Sequence, residues 1–142
     1  MKMTFKDKIK DQLVLHEGLR LKPYKCTSGK LTIGVGRNLD DVGISEQEAF
    51  MLLDSDINKI INSLPFQFPF YSKLNDARKA VLINMAFNIG MSGLFKFKNM
   101  LAAIREEDFE QASYEMLDSV WAEQVGNRAR QLANQMANGE WQ

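Results

Sequence analysis

Glu17-Gly-Leu-Arg-Leu-Lys-Pro-Tyr-Lys-Cys26-Thr-Ser-Gly-Lys-Leu-Thr32-Ile-Gly-Val-Gly36 is the stretch on which the fold turns. It leaves a helix on a carboxylate, crosses a loop punctuated by Pro23 and Gly29, and enters a short strand. Upstream, Phe5, Ile9 and Leu13 recur every fourth residue, which predicts a helix with one apolar face. Thr4 followed by Asp7 reads as its start and Gly18 as its stop. At roughly 100° per residue, Glu17 falls on the apolar arc between Leu13 and Val14. From Leu31 to Val35 the period drops to two, with Leu31, Ile33 and Val35 on one face and Thr32, Gly34 and Gly36 on the other. Ser28-Gly29 is a turn signal before this strand, so a small hairpin or three-stranded ribbon is expected.

Beyond the ribbon, the polar segment from Arg37 to Gly43 leads to Ser45 and Glu48, the spacing of a capping box. The helix that follows carries Phe50, Leu53, Ile57, Ile60 and Ile61 on one side and is expected to run from about 46 to 64, stopped by Pro65. It suits a connector between lobes. Asn75 or Asp76 starts a strongly apolar helix closed by Gly90. Short helices are expected at Ser92–Phe97 and Lys98–Arg105, then an amphipathic one at Phe109–Ser119. Asn127 is expected to cap a last helix that ends at Gly139. The aromatic run Phe66 to Tyr71 reads as packing at a lobe junction rather than a ligand platform.

Length and composition narrow the function classes. The 142 residues suit one domain or two small lobes. With 45% apolar and 25% charged residues, the chain has ordinary globular composition. Eighteen basic residues balance eighteen acidic ones without a basic stripe, which argues against nucleic acid as a partner. Charges every second or third residue after Met1 interrupt any signal-peptide core, and no later run suits a membrane span, so no stable membrane association is expected. One cysteine excludes an internal disulfide, and one cysteine with one histidine is too few for the usual zinc sites.

Glu17 is the strongest candidate for chemistry. A carboxylate on an apolar arc is costly to ionise, and a negative charge at a helix C-terminus opposes the dipole. Both favour the protonated form that a general acid needs; a solvated glutamate at a frayed helix end fits the periodicity as well. Thr32 lies on the strand face bared by Gly34 and Gly36, which suits either close approach of a ligand or a turn. Cys26 is either a small buried hydrophobe or a nucleophile whose only available imidazole is His16. His16 itself reads as a packing residue on the helix arc. Trp121, Gln124, Asn127 and Arg128 cluster late in the chain. An arginine set beside a buried acid would hold it in place and lower its pKa, against the burial effect.

The motifs Glu17-Gly-Leu-Arg-Leu-Lys, Tyr24, Thr32-Ile-Gly-Val-Gly36, Val81-Leu-Ile-Asn-Met-Ala-Phe-Asn-Ile-Gly90 and Trp121-x-x-Gln124-x-x-Asn127-Arg128-Ala129 together resemble the phage-type lysozymes, or endolysins, of glycoside hydrolase family 24. The similarity runs along nearly the whole chain. It implies an α+β, lysozyme-like fold: a small N-terminal lobe with a β-ribbon, a long connecting helix and a helical C-terminal lobe. Residues 1–142 would form a single catalytic domain, with lobes at about 15–45 and 65–142 and the first helix packing on the C-terminal lobe.

The family cleaves the β-1,4 bond between N-acetylmuramic acid and N-acetylglucosamine in peptidoglycan, without cofactor or metal. Carried over by position, Glu17 matches the general acid, Thr32 the threonine that helps hold the attacking water, and Arg128 the arginine lying against the catalytic glutamate. Cys26 stands where many members have aspartate, cysteine being a known variant. Gly36 and Phe87 match cleft-lining positions, and Gln124 lies in the late motif, assigned with them to the substrate. Asn88 replaces a glutamine that reaches the sugar, and Arg37 replaces a histidine; the segment between Leu39 and Ile44 looks shorter than usual. The resemblance implies peptidoglycan glycan strands as the partner and a monomer that waits in the host cytoplasm until a separate membrane pore admits it to the wall. The competing readings are a lytic transglycosylase forming anhydromuramic ends and a non-catalytic wall-binding relative.

Overall fold

The computed structural model of the chain describes residues 2–142. Helix α1 (Phe5–Glu17) begins where its capping chemistry predicts. The Thr4 hydroxyl accepts from the Asp7 N–H at 3.1 Å, and the Asp7 carboxylate accepts from the Thr4 N–H at 3.0 Å. Strands β1 (Arg20–Lys25), β2 (Leu31–Gly34) and β3 (Arg37–Asn38) form an antiparallel ribbon in that spatial order. Tyr24 lies opposite Thr32 across β1 and β2, and Thr32 lies opposite Asn38 across β2 and β3. Strand β2 stops one residue before the predicted Val35, because Gly34 (φ 70) and Gly36 (φ 67) take the left-handed turn back into β3.

Helix α2 (Glu46–Gln67) opens on the expected reciprocal pair. The Ser45 hydroxyl accepts from the Glu48 N–H at 3.1 Å, and Glu48 Oε1 accepts from the Ser45 N–H at 2.9 Å. The helix runs through Pro65 to Gln67 instead of stopping at about 64. Proline removes one N–H from the ladder. The turn survives because Leu64 is fully buried and its carbonyl accepts from the Phe68 N–H at 2.8 Å. The aromatic run then splits. Phe68, Phe70 and Tyr71 are buried around the 3-10 turn Pro69–Lys73, whereas Phe66 is 89% exposed.

Helix α3 (Asp76–Phe95) is capped by the Asn75 side chain, which accepts from the Arg78 N–H at 2.9 Å. The stop predicted at Gly90 is a kink (φ 78, ψ 166), and the helix resumes to Phe95. Helices α4 (Lys98–Arg105), α5 (Phe109–Leu117), α6 (Val120–Val125) and α7 (Asn127–Asn138) complete the chain. Asn127 is the first residue of α7 rather than its cap, a position that Gly126 takes. Leu64, Val81, Leu82, Met85, Leu94, Met100, Met116 and Met136 are fully buried in one core. Four of these are methionines, whose unbranched chains fill the irregular gaps between short helices. Arg78 donates from Nε to the Met136 carbonyl at 2.8 Å and from Nη2 to that of Ala137 at 2.9 Å, so a cation closes the C-terminus of α7.

Contacts divide the chain into two compact units, Met1–Met51 and Leu52–Gln142, with the boundary inside α2. Among the described residues, no single helix is long and apolar enough to cross a membrane.

Candidate active site

In the first unit the site is built on the ribbon. Thr32 is 3% exposed, the one residue of the described part of this unit that is buried. Its hydroxyl donates to the Lys30 carbonyl at 2.9 Å. The same carbonyl accepts from the Cys26 N–H at 2.9 Å. One oxygen thus ties together two of the candidate residues, six apart in sequence.

Cys26 is half-buried and carries a free thiol. Its Sγ lies 3.1 Å from the Ser28 Oγ. The thiol is lowered to about 7, first by that hydroxyl, then by the backbone N–H groups of Lys30 and Ser28, with Thr32 contributing least. Hydrogen bonds to sulfur favour the charged form. The small Thr32 contribution is what its geometry demands, since its single proton already points to the Lys30 carbonyl. At neutral pH the group is therefore divided between thiol and thiolate, the state in which it can accept a proton. The hydrogen-bond partner of the sulfur is the Ser28 hydroxyl; His16 is an exposed residue in the last turn of α1 rather than the packing histidine the arc predicts, and it has no part in lowering the thiol.

Glu17 ends α1 and turns onto the ribbon. A Cβ built on Gly36 would lie 2.9 Å from Glu17 Oε2, 3.2 Å from Cδ and 3.3 Å from Cγ. The carboxylate therefore rests against the bare Cα of Gly36, and any Cβ there would push it aside. Glu17 is nevertheless exposed in its own unit, so the burial inferred from its place on the apolar arc is corrected here. A helical arc tells which way a side chain leaves the helix and not what covers it. Nearby, Arg37 Nη1 donates to Glu48 Oε1 at 2.8 Å and to the Gly43 carbonyl at 3.2 Å. That guanidinium, with the Ser45 N–H, holds Glu48 down to about 2 and fastens β3 to the start of α2.

In the second unit, Arg128 donates from Nε at 3.0 Å and from Nη2 at 2.7 Å to the Asn84 Oδ1, joining α7 to α3. One turn on, Asn88 Oδ1 accepts from the Trp121 indole N–H at 2.8 Å. The carbonyl of Asn88 is thus anchored inside the protein, and the exposed residue keeps its NH2 group as a donor. Phe87 and Gln124 are exposed on the same unit. Asn84 escaped the sequence reading. The signal was its i, i+4 spacing from Asn88, which sets two amides on one side of α3. Among the described residues, no group of three or more His, Cys, Asp or Glu side chains could hold a metal ion.

The phage lysozyme family matches residues 14–138. A probable T4-type lysozyme 1 of Dictyostelium discoideum is 30% identical over 160 residues, covering 92% of this chain and 94% of that protein. An endolysin of Acyrthosiphon pisum secondary endosymbiont phage 1 is 33% identical over 119 residues, covering 80% of this chain and 77% of that one. The pre-baseplate central spike protein Gp5 of Enterobacteria phage T4 is 31% identical over 144 residues, covering 82% of this chain and 25% of its own length.

Proposed function

This chain belongs to the phage lysozyme family and is a peptidoglycan-hydrolysing glycosidase, and from that premise we propose that it cleaves the β-1,4 bond between N-acetylmuramic acid and N-acetylglucosamine with inversion. Glu17 gives its proton to the leaving glycosidic oxygen. A water held by Thr32 and Cys26 attacks the anomeric carbon from the opposite side, through an oxocarbenium-like transition state. The Cys26 thiolate takes a proton from that water and offsets the positive charge developing on the sugar. Exchange with solvent then returns the proton to Glu17 and removes one from the thiol.

The reading is carried by the Glu17 carboxylate resting on Gly36, in the same ribbon whose turn ties Cys26 and Thr32 to one carbonyl. Gly36, Phe87, Asn88, Gln124 and Arg128 are assigned to the glycan strand. Asn88 contributes an N–H donor, its orientation fixed by the Trp121 bond to its oxygen. All of residues 1–142 act as one catalytic domain in this reading, serving host-cell lysis once a separate pore lets the enzyme out of the cytoplasm to the wall.

The test is digestion of purified peptidoglycan with mass spectrometry of the products. Reducing muramic ends from the wild type and loss of lysis in Glu17→Gln are expected. Anhydro ends would convert the enzyme to a transglycosylase, and near-normal lysis by Glu17→Gln would end the proposal.

A further inference from the structure

The loop Thr27-Ser28-Gly29 joins β1 to β2, and its bonds assign Cys26 a place of its own. The Gly29 N–H donates to the Cys26 carbonyl at 2.8 Å, the Cys26 N–H donates to the Lys30 carbonyl at 2.9 Å, and Gly29 takes φ +79. This is the pattern of a three-residue hairpin loop, a turn followed by a left-handed glycine. Cys26 holds the first position of the turn. Asp, Asn and Ser are favoured there because a side-chain acceptor can reach the N–H two residues on. Sulfur stands in that position here, and the N–H groups of Ser28 and Lys30 help to lower the thiol.

Ser28 adds a bond from its side chain, with Oγ 3.1 Å from Sγ. A thiol is a weak donor, whereas a hydroxyl donating to an ionised acceptor makes a short bond. Resting on the reading of Cys26 as the group that accepts the water's proton, we propose that Ser28 is a positioning residue, donating its hydroxyl to the Cys26 sulfur and holding it as a thiolate in the turn.

Two charged groups near the turn have partners of their own. Lys30 on the loop pairs with Asp41 at 3.2 Å, and Asp40 accepts from the Leu31 N–H at 2.7 Å. Glu17 lies on Gly36, and Lys25 of β1 does not contribute to the lowering of the thiol. All of that lowering comes from hydrogen bonds. Its strength should therefore be indifferent to salt, in contrast to a thiolate held by a neighbouring cation.

The chain has a single cysteine, so its alkylation by iodoacetamide, followed by mass shift across pH, reads this site alone. In the wild type the alkylation rate should show a midpoint at about 7, unchanged between low and high salt. Ser28→Ala should raise the midpoint by roughly half a unit to one unit, slowing alkylation at pH 7 about two- to five-fold. Ser28→Thr keeps a hydroxyl and should restore it. A midpoint unchanged in Ser28→Ala, or one raised equally in Ser28→Thr, overturns the proposal. Peptidoglycan hydrolysis measured over the same pH range separates this from the mechanism itself. A thiol that moves while the acid limb of the rate stays put supports the Ser28 bond and refutes Cys26 as the base.

Discussion

Gly36→Ala perturbs the contact on which Glu17, the proposed general acid, rests, and a matched control isolates its effect. Gly36 and Gly43 share φ +67, a conformation that L side chains rarely adopt. Alanine at either position should cost about 1–2 kcal/mol of backbone strain. Around them the space differs. A Cβ at Gly43 would meet only the Leu39 carbonyl at 3.9 Å, an ordinary contact, whereas at Gly36 it would meet Glu17 Oε2 at 2.9 Å. To restore an ordinary 3.4 Å separation, the carboxylate must give way by about 0.5 Å. If misplacing a catalytic group by 1 Å costs ~100-fold in rate, half of that costs about tenfold. Urea denaturation followed by circular dichroism should therefore show similar losses of stability in Gly36→Ala and Gly43→Ala. Turbidity clearance of permeabilised cells, run well below both melting temperatures, should show Gly36→Ala about tenfold slower than Gly43→Ala. Equal rates in the two variants would refute the idea that the bare Cα positions Glu17.

Further consequences follow from the same geometry. Because the thiol sits at about 7, hydrolysis should fall as pH drops through neutrality, and Cys26→Asp should carry that acid limb down toward the carboxylate range near ~4, read from rate against pH. Glu48 is held down to about 2 by Arg37, so its folded pKa is depressed and the stability it contributes is present above ~4.3 and lost as pH falls toward 2. Glu48→Gln should accordingly be less stable than the wild type at neutral pH and converge with it near pH 2, as followed by thermal melts. Glu107 takes φ 59 after α4, with its N–H on the Ile104 carbonyl and the Asp108 N–H on that of Ala103. Glu107→Gly should stabilise the protein by about 0.5–1 kcal/mol, the left-handed strain relieved less the entropy cost of glycine, as measured by urea titration.

Capping was the most legible part of the fold, because it is local chemistry. Thr4 with Asp7, Ser45 with Glu48, and Asn75 each bond as their spacing predicts. Helix α6 was not read, although Ser119 caps it by accepting from the Ala122 N–H at 3.1 Å. At six residues it is too short to display an apolar period. Asn127 was placed one residue off, because the adjacent Gly126 takes the cap position. Pro65 was read as a stop because the local rule says so, and tertiary burial of Leu64 overrode it.

In the site, Cys26 and Thr32 are candidates one by one in the sequence; what joins them is the Lys30 carbonyl at the closing of the hairpin, Thr32 itself lying opposite Tyr24. The bare face of the strand leaves a turn and the close approach of a ligand open; the glycines do make the turn, and one of them also seats Glu17, a contact neither explanation names. Ser28 read only as a turn residue, because its bond to sulfur depends on how the loop closes. Asn84 gains its meaning only when α7 brings Arg128 against α3, a contact 44 residues long in sequence that no local pattern announces.

The bond from the Trp121 indole to Asn88 gives the molecule an optical gauge of its own. Of its two tryptophans, Trp141 is 68% exposed and emits as a solvated ring, while Trp121 is 5% exposed with its N–H committed to one amide. On the proposed assignment of Asn88 to the glycan strand, a fragment that draws on its NH2 end should repolarise that amide and shift the emission of the shielded ring alone. The solvated ring then serves as an internal reference, and occupancy can be followed without label, chromogenic group or turnover.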